Sequence, residues 1–164
     1  AIAPLYDEPF MAAVPASHPL ARRKAITTDE IKNETMLLLG TGHCFRDQVL
    51  EVCPEFARFS SDTEGIRKSF EGSSLETIKH MVAAGMGVTL VPRLSVPRSA
   101  LDGSADNSQD MGDASFVHYL PFDGDPPTRR VVLAWRRSFT RYEAIAELRN
   151  AIYACELPGV NRLS

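Results

Sequence analysis

The chain has 164 residues, of which 44% are hydrophobic, so it can bury the core of one globular domain or of two small ones. With 18 basic residues against 21 acidic ones and no basic cluster, the chain by itself is not predicted to bind a phosphate backbone. Its longest apolar run, about residues 82–92, is broken by two glycines and is shorter than the roughly 20 residues that span a bilayer, which excludes a membrane span.

Two strands separated by a helical turn are predicted in the first forty residues. Residues 9–14 form an apolar run typical of a strand, and the proline-containing turn at 15–19 ends it. Thr28 stands before two acidic residues, a pattern that indicates a helical turn over 29–32. The segment MLLLG at 36–40 predicts a short buried strand that ends at a glycine.

A helix is predicted directly after this strand, in the segment TGHCFRDQVLEVC. Its apolar residues Phe45, Val49 and Val52 are spaced i, i+4 and i+7, so they share one face. Pro54 cannot continue the helix and is expected to stop it. Residues 54–65 are then predicted to form a loop.

The middle of the chain predicts a strand, a helix and a second strand. Residues 67–72 are strand-like, and Ser73 with Glu76 three residues later forms a capping-box signature. That signature opens a helix over 75–84, and residues 88–92 predict the next strand. This order with short connections favours parallel pairing in an α/β sheet.

The last third predicts a long polar loop, two strands and a helix. Residues 98–115 are rich in Ser, Asp, Gly and Asn, and the spacing of their aspartates does not match a calcium loop. Residues 116–120 alternate like a half-buried strand, and residues 129–135 predict another strand. An amphipathic helix is expected over 141–156. Its apolar face contains Ile145, Leu148, Ile152 and Cys155.

Cys44 has the setting that most favours a reactive thiol. If Thr41 caps the helix, Cys44 lies at the third helical position, where free backbone N–H groups and the positive end of the helix dipole favour a thiolate. His43 and Arg46 can donate hydrogen bonds to that anion, whereas Asp47 opposes it unless Asp47 pairs with Arg46. The alternative is a cysteine that packs under the preceding strand without reacting.

Cys53 follows Cys44 by nine positions, a spacing that separates the two thiols while the helix is intact. Nine helical residues advance about 13.5 Å and put the side chains on opposite faces, but a disulfide requires Cα atoms within about 7 Å. The two cysteines can therefore be joined only if the helix between them unwinds. Cys155 lies on the apolar face of the last predicted helix and is expected to be a buried structural residue.

The remaining polar residues give weaker signals. Three cysteines do not make a secreted disulfide framework, and the first ten residues lack the basic start and apolar run of a secretory signal, which predicts a cytoplasmic protein. Ser73 and Ser74 at a predicted helix start could bind an anion or simply cap the helix. No histidine has partners at metal-ligand spacing, and no hydrolase, P-loop or dinucleotide motif occurs, so neither a metal nor a cofactor is predicted.

Three segments of the chain resemble the LysR-type transcriptional regulators. GHCFRDQVLEVC at 42–53 resembles the redox segment of the peroxide-sensing members of that family, with a second cysteine at the same spacing. SSLETIKHMVAAGMGVTLVP at 73–92 resembles the family's helix-to-strand signature, and EPFMAAVPASHPLA at 8–21 resembles the strand and His-Pro turn after its crossover. The resemblance covers most of residues 5–157.

The resemblance implies an α/β fold of the periplasmic-binding-protein-like kind (type 2), with mostly parallel or mixed sheets in two subdomains joined by crossing strands. Residues 1–164 would then be a fragment of a LysR-type regulatory domain. About 10–125 would form the second subdomain, and about 126–157 the C-terminal part of the first. The DNA-binding winged helix-turn-helix domain would be absent from this chain.

The resemblance also implies roles for the residues around the cysteines. Cys44 corresponds to the sensing cysteine that peroxide oxidises to a sulfenic acid, and Cys53 to the resolving cysteine that forms a disulfide with it. His43, Arg46 and Asp47 correspond to polar neighbours of the sensing thiol. The expected ligand-binding residues are Thr41, Gly42, Ser73, Ser74 and Arg130, with Arg129 as the alternative to Arg130.

On this resemblance the chain is expected to be a hydrogen-peroxide sensor, not an enzyme, that remodels itself and its homodimer or homotetramer when the disulfide forms. Promoter DNA and RNA polymerase would be contacted only by the full-length bacterial protein. Two alternatives stay open. One is a LysR-type domain that binds a small organic effector through Thr41, Ser73 and Ser74, and the other is a thiol peroxidase.

Overall fold

The computed structural model describes residues 1–58, 69–101 and 116–163. Within these ranges we number the strands and helices in chain order. The strands are β1 (Ile2–Pro15), β2 (Met36–Leu39), β3 (Ser69–Gly72), β4 (Thr89–Pro92), β5 (Val117–Pro121), β6 (Thr128–Ala134) and β7 (Asn161–Arg162). The helices are α1 (Thr28–Ile31), α2 (Cys44–Val52), α3 (Glu55–Arg58), α4 (Leu75–Ala83) and α5 (Tyr142–Ala154). Short 3-10 turns occupy Pro19–Arg22, Arg93–Ser95 and Arg98–Ala100.

The long strand β1 organises the main sheet. Its second half pairs antiparallel with β4 and β5, and its first half pairs antiparallel with β6 and β7. Residues 10–15 are all buried. The strand predicted at 9–14 is confirmed, but β1 begins as early as Ile2. The prolines and acidic residues within 4–9 are not typical of a strand, so the sequence does not indicate this first half. The ladder to β6 keeps it extended.

The smaller sheet is parallel. β2 pairs with β3 along its whole length, and on its other edge it makes a parallel bridge from Met36 to Val88. The strands predicted at 67–72 and 88–92 therefore run parallel, with β2 between them. The expectation of mostly parallel or mixed sheets is confirmed as a mixed fold, because this smaller sheet is parallel and the described ladders of β1 are all antiparallel. Strand–helix–strand order dictates parallel pairing only where a helix crosses over, as it does between β3 and β4.

Helix α4 packs against β1 and β2 and contributes to the core. Ile78 and Val82 face the strands and are 1% and 0% exposed. Lys79 is also buried, and its Nζ donates to the Glu76 carboxylate at 2.9 Å and to the Ser95 carbonyl at 2.8 Å. A buried ammonium is tolerated here because both of these partners accept its hydrogen bonds.

Two helices begin one residue away from their predicted caps. Thr27, in place of Thr28, caps α1 and forms a capping box with Glu30. Ser74, in place of Ser73, caps α4 by accepting a hydrogen bond from a backbone N–H in its first turn. In both cases the sequence offers two neighbouring hydroxyls, and the one whose backbone is extended becomes the cap.

Several other predicted elements are confirmed, and some lie outside the described ranges. The buried strand at 36–40 is β2, and the strands at 116–120 and 129–135 are β5 and β6. Helix α3 forms inside the segment predicted as a loop at 54–65, of which residues 59–65 are not described. Residues 67 and 68 of the predicted strand, and residues 102–115 of the predicted polar loop with its aspartates, also lie outside the described residues.

Helix α5 confirms the predicted C-terminal helix but not the burial of its apolar face. Ile145 and Ile152 are only half-buried, and Leu148 is 47% exposed. Cys155 is exposed and follows the helix as its C-cap, so the expectation that it is buried is wrong. A periodic pattern shows that apolar residues share a face, but burial requires another element to cover that face.

Candidate functional site

Most of the residues predicted to form the site lie where β2 and β3 end, but Cys53 and Arg130 do not. The two strands are parallel, so their carboxyl ends lie side by side, and the Gly40 N–H donates to the Gly72 carbonyl at 3.1 Å. The loops that follow these strands are therefore neighbours. The exposed residues of these loops and of the adjoining helix start are Thr41, Gly42, His43, Cys44, Ser73 and Ser74.

Cys44 is the first residue of α2, and His43 is its N-cap. Gly42 has a φ of +98°, a left-handed conformation that lets the chain turn from β2 into the helix. The expected cap by Thr41 is wrong, because the start of α2 carries no side-chain cap hydrogen bond. Cys44 thus lies in the first helical turn, two positions earlier than expected, where backbone N–H groups lack helical partners. Its thiol is exposed.

Arg46 ties the start of α2 to the ends of β2 and β3. Its guanidinium donates to the Leu39 carbonyl at 2.7 Å and pairs with the Glu71 carboxylate at 2.8 Å. The Arg46 side chain is 13% exposed, whereas Asp47 is exposed. The ion pair of Arg46 is made with Glu71 and not with Asp47, so Arg46 positions the helix that begins at Cys44.

Gln48 is a polar residue of this helix that the sequence reasoning missed. It lies four residues after Cys44, so the two side chains share a face of α2. The Gln48 Oε1 atom is buried and has no hydrogen-bond partner among the described residues. Such an atom is costly unless a water or ligand satisfies it. The spacing of one helical turn between Gln48 and Cys44 is the sequence signal that could have identified this residue.

Phe45 anchors the first turn of α2 in the core. Its ring meets the Phe10 ring edge to face, with centroids 5.4 Å apart, and the Arg129 guanidinium lies 5.6 Å from its centroid. Arg129 in turn donates to the Glu8 carboxylate at 2.8 and 2.7 Å. Glu8 is 0% exposed, and its other oxygen accepts from the Leu94 N–H at 2.8 Å. A buried ion pair on β1 and β6 thus supports the residue next to Cys44.

Arg129, not the favoured Arg130, lies against the first turn of α2. Neighbouring residues of a strand point to opposite faces, so only one of the two arginines can contact Phe45. Arg130 instead forms a two-bond ion pair with Asp7 at 2.8 and 2.9 Å, and its side chain is 58% exposed. The hydrogen bond from Arg130 and its charge hold the pKa of Asp7 below the usual value.

Cys53 lies at the other end of α2, as its C-cap, and is 0% exposed. Burial raises the pKa of the Cys53 thiol to about 11, and the nearby Glu55 carboxylate adds to the increase. The helix between the two cysteines is intact, which separates them by about 13.5 Å along its axis. All three cysteines of the chain are free thiols in this structure.

The raised pKa of Cys53 makes stability depend on pH. Relative to a Cys53→Ala variant, the wild-type free energy of unfolding should fall by about 2 to 3 kcal/mol as the pH rises from about 9 to about 11. In that range the unfolded thiol, with a usual pKa of 9.0, loses its proton while the folded thiol keeps it. Urea denaturation at several pH values measures the difference. A difference that stays constant up to pH 11 would contradict the assigned burial.

No group of three His, Cys, Asp or Glu side chains that could hold a metal occurs among the described residues. Across the same residues, no helix is both long enough and apolar enough to cross a membrane.

Comparison with known proteins yields matches that agree with this geometry. Residues 1–105 match the family model described as the LysR substrate binding domain. The chain is 37% identical over 147 residues to a "Hydrogen peroxide-inducible genes activator" of Pectobacterium carotovorum, a match that covers 88% of this chain and 43% of the relative. It is 38% identical over 148 residues to the "DNA-binding transcriptional dual regulator OxyR" of Escherichia coli, covering 88% and 42%.

A solved structure extends the similarity to the whole chain. The reduced form of OxyR from N. meningitidis superposes with a TM-score of 0.79 at 36% identity, and the match covers 100% of this chain and 69% of that one. The chain spans less than half the length of the two curated relatives above. The fold expected from the resemblance is therefore confirmed.

Proposed function

This chain belongs to the family of LysR substrate-binding domains, and we propose that it is the redox-sensing regulatory domain of a hydrogen-peroxide-responsive transcriptional regulator. The observation that carries the proposal is the pair of cysteines at opposite ends of α2, one exposed and one fully buried. The names of the relatives, which include a peroxide-inducible activator and OxyR, support peroxide as the signal.

In the proposed reaction the Cys44 thiolate attacks one oxygen of hydrogen peroxide and breaks the O–O bond. One oxygen stays on the sulfur as a sulfenic acid, and the other leaves as hydroxide, which takes up a proton to become water. The Cys53 thiol then attacks the Cys44 sulfur, and the sulfenic oxygen leaves as a second water. Two thiols and one peroxide thus give one disulfide and two waters.

The neighbours of Cys44 take different parts in this proposal. His43, at the helix start, donates to the leaving oxygen, and the unpaired Oε1 atom of Gln48 accepts a hydrogen bond from the peroxide one turn away. Arg46 is a positioning residue, because Leu39 and Glu71 already occupy its guanidinium. The polar rim of the site is formed by Thr41, Gly42, Asp47, Ser73 and Ser74, with Arg129 in the place expected for Arg130.

The second step requires a change of conformation. Cys53 is buried and protonated at neutral pH, so it is protected from oxidants while α2 is intact. It can reach Cys44 only if residues between them leave the helix. We infer that this local unwinding is the signal, because it moves Phe45 and Val49 out of the core.

The rest of the proposal concerns the whole protein. We place residues of about 10–125 in the second subdomain of the regulatory domain and about 126–157 in the first. The full protein would act as a homodimer or homotetramer in the bacterial cytoplasm and would contact promoter DNA and RNA polymerase through other parts. The relatives named above, an activator and a DNA-binding regulator, support this role over that of an enzyme.

A Cys53→Ser variant tests the proposed roles of the two cysteines. Treated with one equivalent of hydrogen peroxide, the wild-type chain should lose about 2 Da between Cys44 and Cys53, the mass of two hydrogens. The variant cannot close the disulfide, so a sulfenic acid should persist on Cys44 and be trapped by dimedone. Mass spectrometry of the peptides measures both products.

Two controls accompany this experiment. A Cys155→Ser variant should behave like wild type, because Cys155 lies after α5 and takes no part in the reaction. Absence of the dimedone adduct on Cys44 in Cys53→Ser would contradict the assigned roles. Rapid consumption of many equivalents of peroxide per chain with a thiol reductant present would instead favour the thiol peroxidase.

A further inference from the structure

A cavity rich in arginine lies away from the cysteines, between the segment after β4 and the chain after α5. Its volume is about 380 Å³, and Arg93, Arg98 and Arg162 line it with a single carboxylate, Glu156. Leu101 and Leu157 add apolar surface. The three guanidinium groups against one carboxylate leave a net charge of +2 around a small space.

The three arginines of this cavity have no anionic partner in the described part of the chain. The arginine ion pairs found there involve Arg23, Arg46, Arg129 and Arg130 only. Like charges that line the same small cavity repel, and an anion bound there relieves this repulsion. The cavity therefore carries a net positive charge, which an anion from outside these residues would balance.

Backbone contacts hold two of the three arginines in place. Arg162 is part of β7, which pairs with β1, and its guanidinium donates to the Cys155 carbonyl. Arg93 passes close to Gly159, where an added Cβ would lie 2.9 Å from the Arg93 Nε atom. Gly159 has a φ of +73°, so glycine is needed there both for the turn and for room beside the guanidinium. Arg93 and Arg162 are therefore positioned beside the cavity by contacts within the chain.

We propose that this cavity binds a small organic dianion, a dicarboxylate with a short hydrocarbon chain. Arginine pairs with carboxylates through two parallel hydrogen bonds, and three guanidinium groups can hold two anionic ends at once. The volume of about 380 Å³ is at the small end of the range for ligand sites, which favours a small ligand. Leu101 and Leu157 would contact the carbon chain, which disfavours a bare inorganic anion.

The site is separate from the one around Cys44. None of its lining residues belongs to the loops after β2 and β3 that carry the cysteine chemistry. The inference also does not depend on the proposed function, because binding here requires neither cysteine.

Calorimetry with the 164-residue chain tests the proposal. The probes are glutarate as the dicarboxylate, sulfate as an inorganic dianion and acetate as a monoanion, all at equal ionic strength. Glutarate should bind saturably and more tightly than the other two. Arg98→Gln and Arg162→Gln should each weaken glutarate binding by about tenfold, since each removes a charge-assisted pair. Arg136→Gln, a change at an exposed arginine outside the cavity, is the matched control and should bind like wild type.

Each result is decisive for the proposal. Equal glutarate affinity in wild type and in the two cavity variants, or no saturable binding at all, would overturn it. Tighter binding of sulfate than of glutarate would overturn the assignment of the ligand as a dicarboxylate. Circular dichroism establishes that the variants are folded, and Arg98 is exposed, so its replacement leaves the core intact.

Discussion

Oxidation by one equivalent of hydrogen peroxide is expected to speed amide exchange across residues 47–52, the amides with helical partners, by on the order of 100-fold or more. In the reduced chain these amides belong to α2, and the Cys53 N–H closes its last turn by donating to the Val49 carbonyl at 3.0 Å. A disulfide between Cys44 and Cys53 cannot span about 13.5 Å, so its formation must break helical hydrogen bonds. Hydrogen exchange with mass spectrometry of both redox states measures the change.

The size of this effect follows from the contacts that α2 must give up. Phe45 loses its edge-to-face contact with Phe10 and its place under Arg129, and Val49 leaves a site where it is only 2% exposed. The burial and the hydrogen bonds that α2 loses amount to several kcal/mol. A change of about 2.7 kcal/mol in the free energy of opening is enough to change the exchange rate 100-fold.

Two references make the exchange measurement specific. The amides of α4 should stay equally protected in both states, because α4 packs against β1 and β2 independently of the cysteines. The Cys53→Ser variant, treated in the same way, should keep α2 protected. Equal protection of α2 in reduced and oxidised wild type, with the disulfide verified by mass, would show that unwinding is not the signal.

Replacing Arg129 by methionine should lower the free energy of unfolding by about 3 kcal/mol. The change leaves the Glu8 carboxylate, which is 0% exposed, with only the Leu94 N–H as a donor, and an uncompensated buried charge is costly. It also removes the cation over the Phe45 ring. Urea denaturation at neutral pH measures the loss.

Arg130→Met is the matched control for this substitution. Arg130 is the next residue on β6 and also pairs with a carboxylate, but its side chain is 58% exposed. An exposed ion pair contributes less than about 1 kcal/mol, so the control should lose little stability. Equal losses in the two variants would mean that burial of the Glu8 pair does not set its strength.

The helix between the cysteines could be predicted from sequence because its determinants are local. The i, i+4, i+7 spacing of Phe45, Val49 and Val52 and the stop at Pro54 define α2 without reference to the rest of the fold. The first residue of α2 could not be predicted from sequence, because His43 is the N-cap in place of Thr41 and the chain turns at Gly42. Where several turn formers are adjacent, the path of the preceding strand decides which residue begins the helix.

The sequence by itself determined the features that depend on residues close together in the chain: the strand before Cys44, the helix after it, and the nine-residue separation that makes a disulfide incompatible with that helix. Burial was not among them, since the pattern that placed Cys155 on an apolar face could not supply an element to cover it.

Only the tertiary structure decided which arginine contacts the first turn of α2 and which carboxylate each arginine pairs with. Arg129 and Arg130 are adjacent and chemically identical, so the choice between them depends on which face of β6 meets Phe45. The partner of Arg129, Glu8, is 121 positions away, and no local pattern in the sequence connects the two. Such pairs form because the ladder between β1 and β6 brings charges from distant parts of the chain together. The carboxylate is buried there, and a buried carboxylate without a partner would be strongly destabilising.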